Sequence, residues 1–145
     1  PIVLITADHG LIDVEPIELS NYPDFEDCLP KPFAGEGRFA QFYVKEDKVE
    51  EFKDLFNKYF GESFMLMSKE EFIKSQMAGL NEPNKIVEYA LGDFVAIGTG
   101  SYYFTEQIKE DDLIFKAHHA GITKEEMETC VVLLKRKDSK EEVEE

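Results

Sequence analysis

The chain has 145 residues, 43% hydrophobic and 12% aromatic, which is enough apolar side chain for one packed domain and excludes a disordered segment. Lys and Arg number 16 against 31 Asp and Glu, and the resulting net charge of −15 argues against direct nucleic-acid binding by this portion, because backbone phosphates would be repelled. No apolar run approaches the roughly 18 residues of a membrane-crossing helix, and Cys28 and Cys130 suggest neither a disulfide framework nor a metal-binding cysteine pair.

The first stretch, Ile2-Val3-Leu4-Ile5-Thr6, runs into Ala7-Asp8-His9-Gly10. Its unbroken apolar, largely β-branched run predicts a parallel strand buried on both faces. Such a strand delivers polar groups to the carboxyl edge of its sheet, where ligands bind in open α/β folds. A carboxylate beside a neutral imidazole is a hard-plus-borderline donor pair suited to Zn²⁺ or Mn²⁺. Gly10 lets the backbone turn sharply away from such an ion. A helix or turn cap at Asp8 and a surface His9 is the plainer alternative.

Residues 11–33 are rich in Pro, Asp and Asn and read as a loop, with a short strand at Ile17-Glu18-Leu19 and Tyr22, Phe25 and Leu29 pinning it down. Asp13 and Glu15 read as solvated. Residues 38–80 predict a strand–helix–strand–helix module. In the strand Arg38-Phe39-Ala40-Gln41-Phe42-Tyr43-Val44, Phe39, Gln41 and Tyr43 share one face and Ala40, Phe42 and Val44 the other. Asp47-x-x-Glu50 resembles a capping box with Asp47 as N-cap. Val49, Phe52, Leu55, Phe56 and Tyr59 form the apolar stripe of the next helix, which Gly61 ends at the C′ position. Phe64-Met65-Leu66-Met67 is the second strand, its methionines read as packing, and Ser68-x-x-Glu71 caps a helix with Phe72, Ile73 and Met77 inward.

A turn-rich connector follows, and residues 86–91 fit either a helical turn or a strand. Residues 92–104 read as two strands folded into a hairpin around Gly98-Thr99-Gly100-Ser101. Phosphate cradling by that turn is disfavoured, since neither a P-loop lysine nor a helix follows. Leu113-Ile114-Phe115 leads to His118-His119-Ala120-Gly121-Ile122-Thr123-Lys124-Glu125-Glu126-Met127, where Thr123-x-x-Glu126 is a third capping box. Residues 130–134 predict a further buried strand, and residues 138–145 a charged tail.

The pairing of T-A-D-H-G after a strand with H-A-G-I-T-K-E-E-M some 110 residues later resembles the carboxy-terminal part of the alkaline phosphatase superfamily. The match is to its type I phosphodiesterase/nucleotide pyrophosphatase branch. The resemblance implies an α/β fold, the carboxy-terminal part of an alkaline-phosphatase-like sheet carrying an inserted α+β cap-like module. It implies that Asp8 and His9 ligate one ion of a two-metal centre and His119 the other, His119 standing directly before the small residue and glycine as the family's ligand does. The ions are expected to be Zn²⁺ or Mn²⁺, and the substrate a small phosphorylated molecule hydrolysed at a phosphodiester or pyrophosphate bond.

The family's nucleophilic Thr or Ser and its remaining metal ligands lie earlier in sequence. The chain is therefore expected to be the last third of a larger enzyme, inactive alone, with an amino terminus able to carry a signal. The compartment stays open, a cytoplasmic one being compatible. Expected organisation is residues 1–37 as core strand, metal turn and rim loop, 38–91 as the inserted module, 92–137 as the return to the core, and 138–145 as tail. The alternatives are a related phosphatase, phosphomutase or sulfatase, or a non-catalytic module that binds or self-associates through an unpaired strand or exposed apolar face.

Overall fold

The aromatic residues decide where the core lies. Seven of the twelve phenylalanines, Phe25, Phe42, Phe52, Phe56, Phe60, Phe64 and Phe104, fall into one buried cluster with Leu19, Cys28, Ala40, Val44 and Ala96. The computed structural model describes residues 2–81 and 83–136. The tail expected over 138–145 lies outside them.

In chain order, β1 (Ile2–Thr6), β2 (Ile12–Asp13) and β3 (Glu15–Glu18) precede the one-turn helix α1 (Pro23–Glu26). Then come β4 (Ala34–Glu36), β5 (Phe39–Phe42), α2 (Val49–Phe60), β6 (Phe64–Ser68) and α3 (Lys69–Ser75). The second half holds α4 (Lys85–Ala90), β7 (Phe94–Gly98), β8 (Tyr102–Thr105), β9 (Ala117–His118), α5 (Lys124–Met127) and β10 (Val131–Lys135).

The main sheet has the order β4-β5-β7-β6, antiparallel throughout, with strands from either side of residues 38–91. Strand alternation separates its two faces. Ala40 lies opposite Ala96 in register, and with Phe42 it faces the phenylalanine cluster beneath α2. On the reverse face Val95 and Ile97 pack with Phe72 and Leu91 and are flanked by Phe39, Met65, Met67 and Ile122. The stripe expected on α2 is present, and the period of 3.6 buries Phe52, Phe56 and Phe60 most deeply.

Several local expectations give way to tertiary pairing. β1 is not a buried parallel strand: it pairs antiparallel with β10, and Ile2, Val3, Leu4 and Ile5 are all exposed. β10 is likewise exposed rather than buried, each strand finding only one partner and no covering layer within the described residues. The hairpin over 92–104 is also absent. β5 and β6 occupy both edges of β7, so β8 pairs in parallel with β3 instead.

Asp47 does not cap α2; it sits inside a 3-10 turn, Glu46–Lys48, and Lys48 takes the N-cap position without a side-chain bond. Gly61 is the C-cap residue with ordinary helical φ of −61°, not a left-handed C′ glycine. α3 stops at Ser75 on a left-handed Gln76, which leaves Met77 exposed. The capping boxes at Ser68 and Thr123 are both formed, and of residues 86–91 all but the C-cap Leu91 belong to helix α4.

Phe25 is fully buried, its ring against Phe42, Phe52, Phe56 and Phe60 at centroid distances of 5.1–6.3 Å. Phe25→Ala therefore opens a cavity at the centre of the cluster and is expected to lower unfolding free energy by about 3–5 kcal/mol, read from urea denaturation.

Candidate metal centre

β1 hands the chain to Asp8-His9-Gly10 while the Thr6 hydroxyl donates to the Cys130 carbonyl at 2.9 Å, holding the end of the ribbon. The His9 amide donates to Asp8 Oδ1 at 3.1 Å, folding that carboxylate over its own turn. His9 Nδ1 lies 2.8 Å from the Gly10 carbonyl. A carbonyl only accepts, so Nδ1 carries the proton and Nε2 its lone pair. That tautomer, fixed by a backbone carbonyl, is the one in which imidazoles bind metals. Nε2 in turn lies 3.6 Å from Asp8 Oδ2. Two acceptors that close suit a shared metal ion.

The second histidine motif arrives through β2 and β9. Ile12 pairs with His118 and Asp13 with Ala117, so the segment just past Gly10 carries the residue after His118 to the first turn. His119 stacks on His9, with centroids 3.8 Å apart and planes at 13°. His118 points elsewhere, stacked on Tyr103 at 4.5 Å and edge-on to Phe115 at 5.6 Å. Burial there pushes its pKa below the usual imidazole value.

Asp8, His9 and His119 are thus drawn to one place, Asp8 largely exposed and the two rings partly buried. The donor chemistry, one carboxylate and two imidazoles, fits Zn²⁺ or Mn²⁺. Among the described residues, however, no three His, Cys, Asp or Glu are grouped so as to hold an ion by themselves. Asp13 and Glu15 are exposed, as their sequence context implies. The Gly98-Thr99-Gly100 turn offers no free amide cradle: the Thr99 and Gly100 amides both bond to the Ser63 carbonyl, at 2.9 and 3.0 Å.

Beneath the two turns lies an ion pair that no motif announces. Arg38 and Glu126, both buried, meet in a fork: Nε donates to Oε1 at 2.6 Å and Nη2 to Oε2 at 2.7 Å. Arg38 Nη1 donates to the carbonyls of Gly100 and Tyr102 at 2.8 and 2.6 Å. Glu126 also accepts from the Gly121 amide at 2.8 Å, the Thr123 amide at 3.2 Å and the Thr123 hydroxyl at 2.6 Å. Its backbone carbonyl accepts from the Gly10 amide at 2.9 Å.

Space around these bonds is used up. A Cβ on Gly10 would lie 1.8 Å from the Glu125 carbonyl oxygen, and one on Gly121 would lie 2.5 Å from both Arg38 Nη2 and the Gly98 carbonyl. Between His119 and Gly121, Ala120 is held at φ +83°, a left-handed conformation costly for a residue with a Cβ. In the sequence Arg38 is the first residue of a strand, and Glu126 only the far half of a capping box. Nothing local marks two residues 88 positions apart as partners.

No protein-family model and no curated protein sequence matches the chain significantly. Solved structures do. Murine ectonucleotide pyrophosphatase/phosphodiesterase 5 superposes with a TM-score of 0.61 at 21% identity, and its human counterpart with 0.62 at 16%. Phosphonoacetate hydrolase from Sinorhizobium meliloti 1021, in complex with phosphonoformate, gives 0.62 at 18%. The chain carries their fold. This is the α/β, alkaline-phosphatase-like fold expected from the two motifs, in part. Each match takes in 91% of this chain and 33% to 35% of the other, so the chain spans about a third of the length of the structures it resembles.

Burial pushes the Glu126 carboxyl up, but the Arg38 fork, the Thr123 hydroxyl and the Gly121 amide outweigh it and bring its pKa down from 4.5 to about 2. A carboxylate whose folded pKa is depressed stabilises the fold above its unfolded value and loses that contribution as pH falls through the folded one. Stability is therefore expected to decline from about pH 4.5 toward pH 2, seen as a falling thermal midpoint, and Glu126→Gln should flatten that segment of the pH profile.

Proposed function

We propose that this chain is part of a metal-dependent hydrolase that cleaves phosphodiester or pyrophosphate bonds with two divalent ions, Zn²⁺ or Mn²⁺. The observation that carries the reading is the meeting of His9 and His119, from motifs 110 residues apart, as stacked rings beside Asp8. The shared fold supports it, since the superposed structures are a pyrophosphatase/phosphodiesterase and a phosphonoacetate hydrolase.

In this reading Asp8 and His9 hold one ion and His119 the other. The Gly10 carbonyl fixes the His9 tautomer, and Asp8 supplies the anionic charge that a bound cation needs. A bound ion pair of this kind clamps the attacking and leaving oxygens of an in-line displacement at phosphorus. The nucleophile and the remaining ligands lie outside this chain, which is inactive on its own. A small phosphorylated substrate is consistent with the murine protein's structure in complex with AMP.

Calorimetric titration of Zn²⁺ and Mn²⁺ tests this. Weak binding is expected, lost in the His9→Ala/His119→Ala double variant and weakening as the solution is acidified, because ligand imidazoles bind metal only when unprotonated. Binding unchanged by the double variant would sink the assignment.

A second reading concerns assembly. Ile2, Val3, Leu4 and Ile5 on β1 and Val131, Val132, Leu133 and Leu134 on β10 are 43–67% exposed, an apolar ribbon open on both faces. Such a surface favours self-association of the chain. Gel filtration at micromolar concentration should show dimers or larger species, reduced by Leu4→Lys; a clean monomer for the unaltered chain refutes it.

A further inference from the structure

The Arg38–Glu126 pair occupies a position that stability alone does not explain. Replacing a buried ion pair by apolar side chains is often neutral or stabilising, so a fully desolvated one invites a different account. Its hydrogen bonds supply one. Glu126 touches both histidine turns, the first through its carbonyl and the Gly10 amide, the second through its carboxylate and the Gly121 and Thr123 amides. Arg38, at the head of β5, locks that carboxylate to the main sheet and to the Gly100 and Tyr102 carbonyls.

We infer that Arg38 and Glu126 are positioning residues, a buried clamp that sets the distance and parallel stacking of His9 and His119. The inference rests on the metal-centre reading only for what the two imidazoles are used for; the clamp itself concerns geometry within this chain. Glu126 holds its two turns through different atoms of one residue, so neither turn moves without dragging the other. The close approach at Gly10 and Gly121 leaves no slack, and the left-handed Ala120 is the strained link that this grip sustains.

The test reads the two rings directly by NMR on the whole chain. In the unaltered protein, His9 and His119 ring protons should show a mutual Overhauser effect and upfield ring-current shifts. The amides of Gly10, Gly121 and Thr123 should resist hydrogen exchange as well as those of β5 and β7. Exchange of the three at unprotected rates overturns the inference without any variant.

Glu126→Asp keeps the buried charge but is one methylene short of serving Arg38 and Gly121 together. With β5–β7 exchange protection retained, it should lose the Overhauser effect and bind Zn²⁺ at least tenfold more weakly. Arg38→Lys should do the same to a lesser degree. A folded Glu126→Asp variant whose two rings remain stacked refutes the clamp. Rings that separate in a variant whose Zn²⁺ affinity equals that of the unaltered chain would instead uphold the clamp and defeat the metal reading.

Discussion

Everything near the candidate centre depends on one constraint: a guanidinium and a carboxylate, both without access to water, must satisfy each other completely. A charge left unpaired in that position would cost several kcal/mol, so the surrounding backbone is arranged around the pair. Arg38 takes two carbonyls that would otherwise point into the interior, and Glu126 takes two amides and a hydroxyl. No buried side-chain nitrogen or oxygen among the described residues is left without a partner. The interaction ties β5, the turn before β8, and both histidine motifs into one unit. It thereby couples the phenylalanine core to the glycine-bearing turns.

How much of this is legible in the sequence depends on the range over which each cause acts. Short-range causes read well. The stripe of α2 and the capping boxes at Ser68 and Thr123 are decided within four residues and appear where expected. The two motifs that lead to the candidate centre are also visible, because each is a local string of donors and a glycine. Partner choice reads poorly. Residues 92–104 carry every local mark of a hairpin, yet β7 already has neighbours on both edges and β8 pairs with β3, far back in the chain. Asp47 has a capping-box spacing, but a 3-10 turn consumes it first. Arg38 and Glu126 show the same limit in a stronger form, since a lone basic residue at a strand start carries no sign of its partner.

Likeness to the solved structures divides along similar lines. Identity of 16% to 21% leaves only the two short motifs for sequence to register, while the backbone superposes over nine-tenths of the chain. Fold is set by a distributed pattern of apolar positions that many sequences satisfy. Chemistry is set by a few side chains on turns. Here the candidate donors are brought together by strands only two residues long, β2 and β9, whose pairing would be trivial in isolation. Their register matters because it decides which of two adjacent histidines meets His9 and which is stacked against Tyr103.

The pairing of β1 with β10 also carries a kinetic consequence. It joins Ile2 to Lys135 and Thr6 to Val131, nearly the greatest sequence separation the chain offers. Closing so large a loop is entropically costly, and the ribbon gives little burial in return. The four-stranded unit, built mostly from contacts within residues 34–98, has far less entropy to overcome. The ribbon is accordingly expected to close after the four-stranded unit and to open before it. Asp8 and His9 follow directly on β1, so the candidate centre is expected to be completed late in folding, when the ribbon closes.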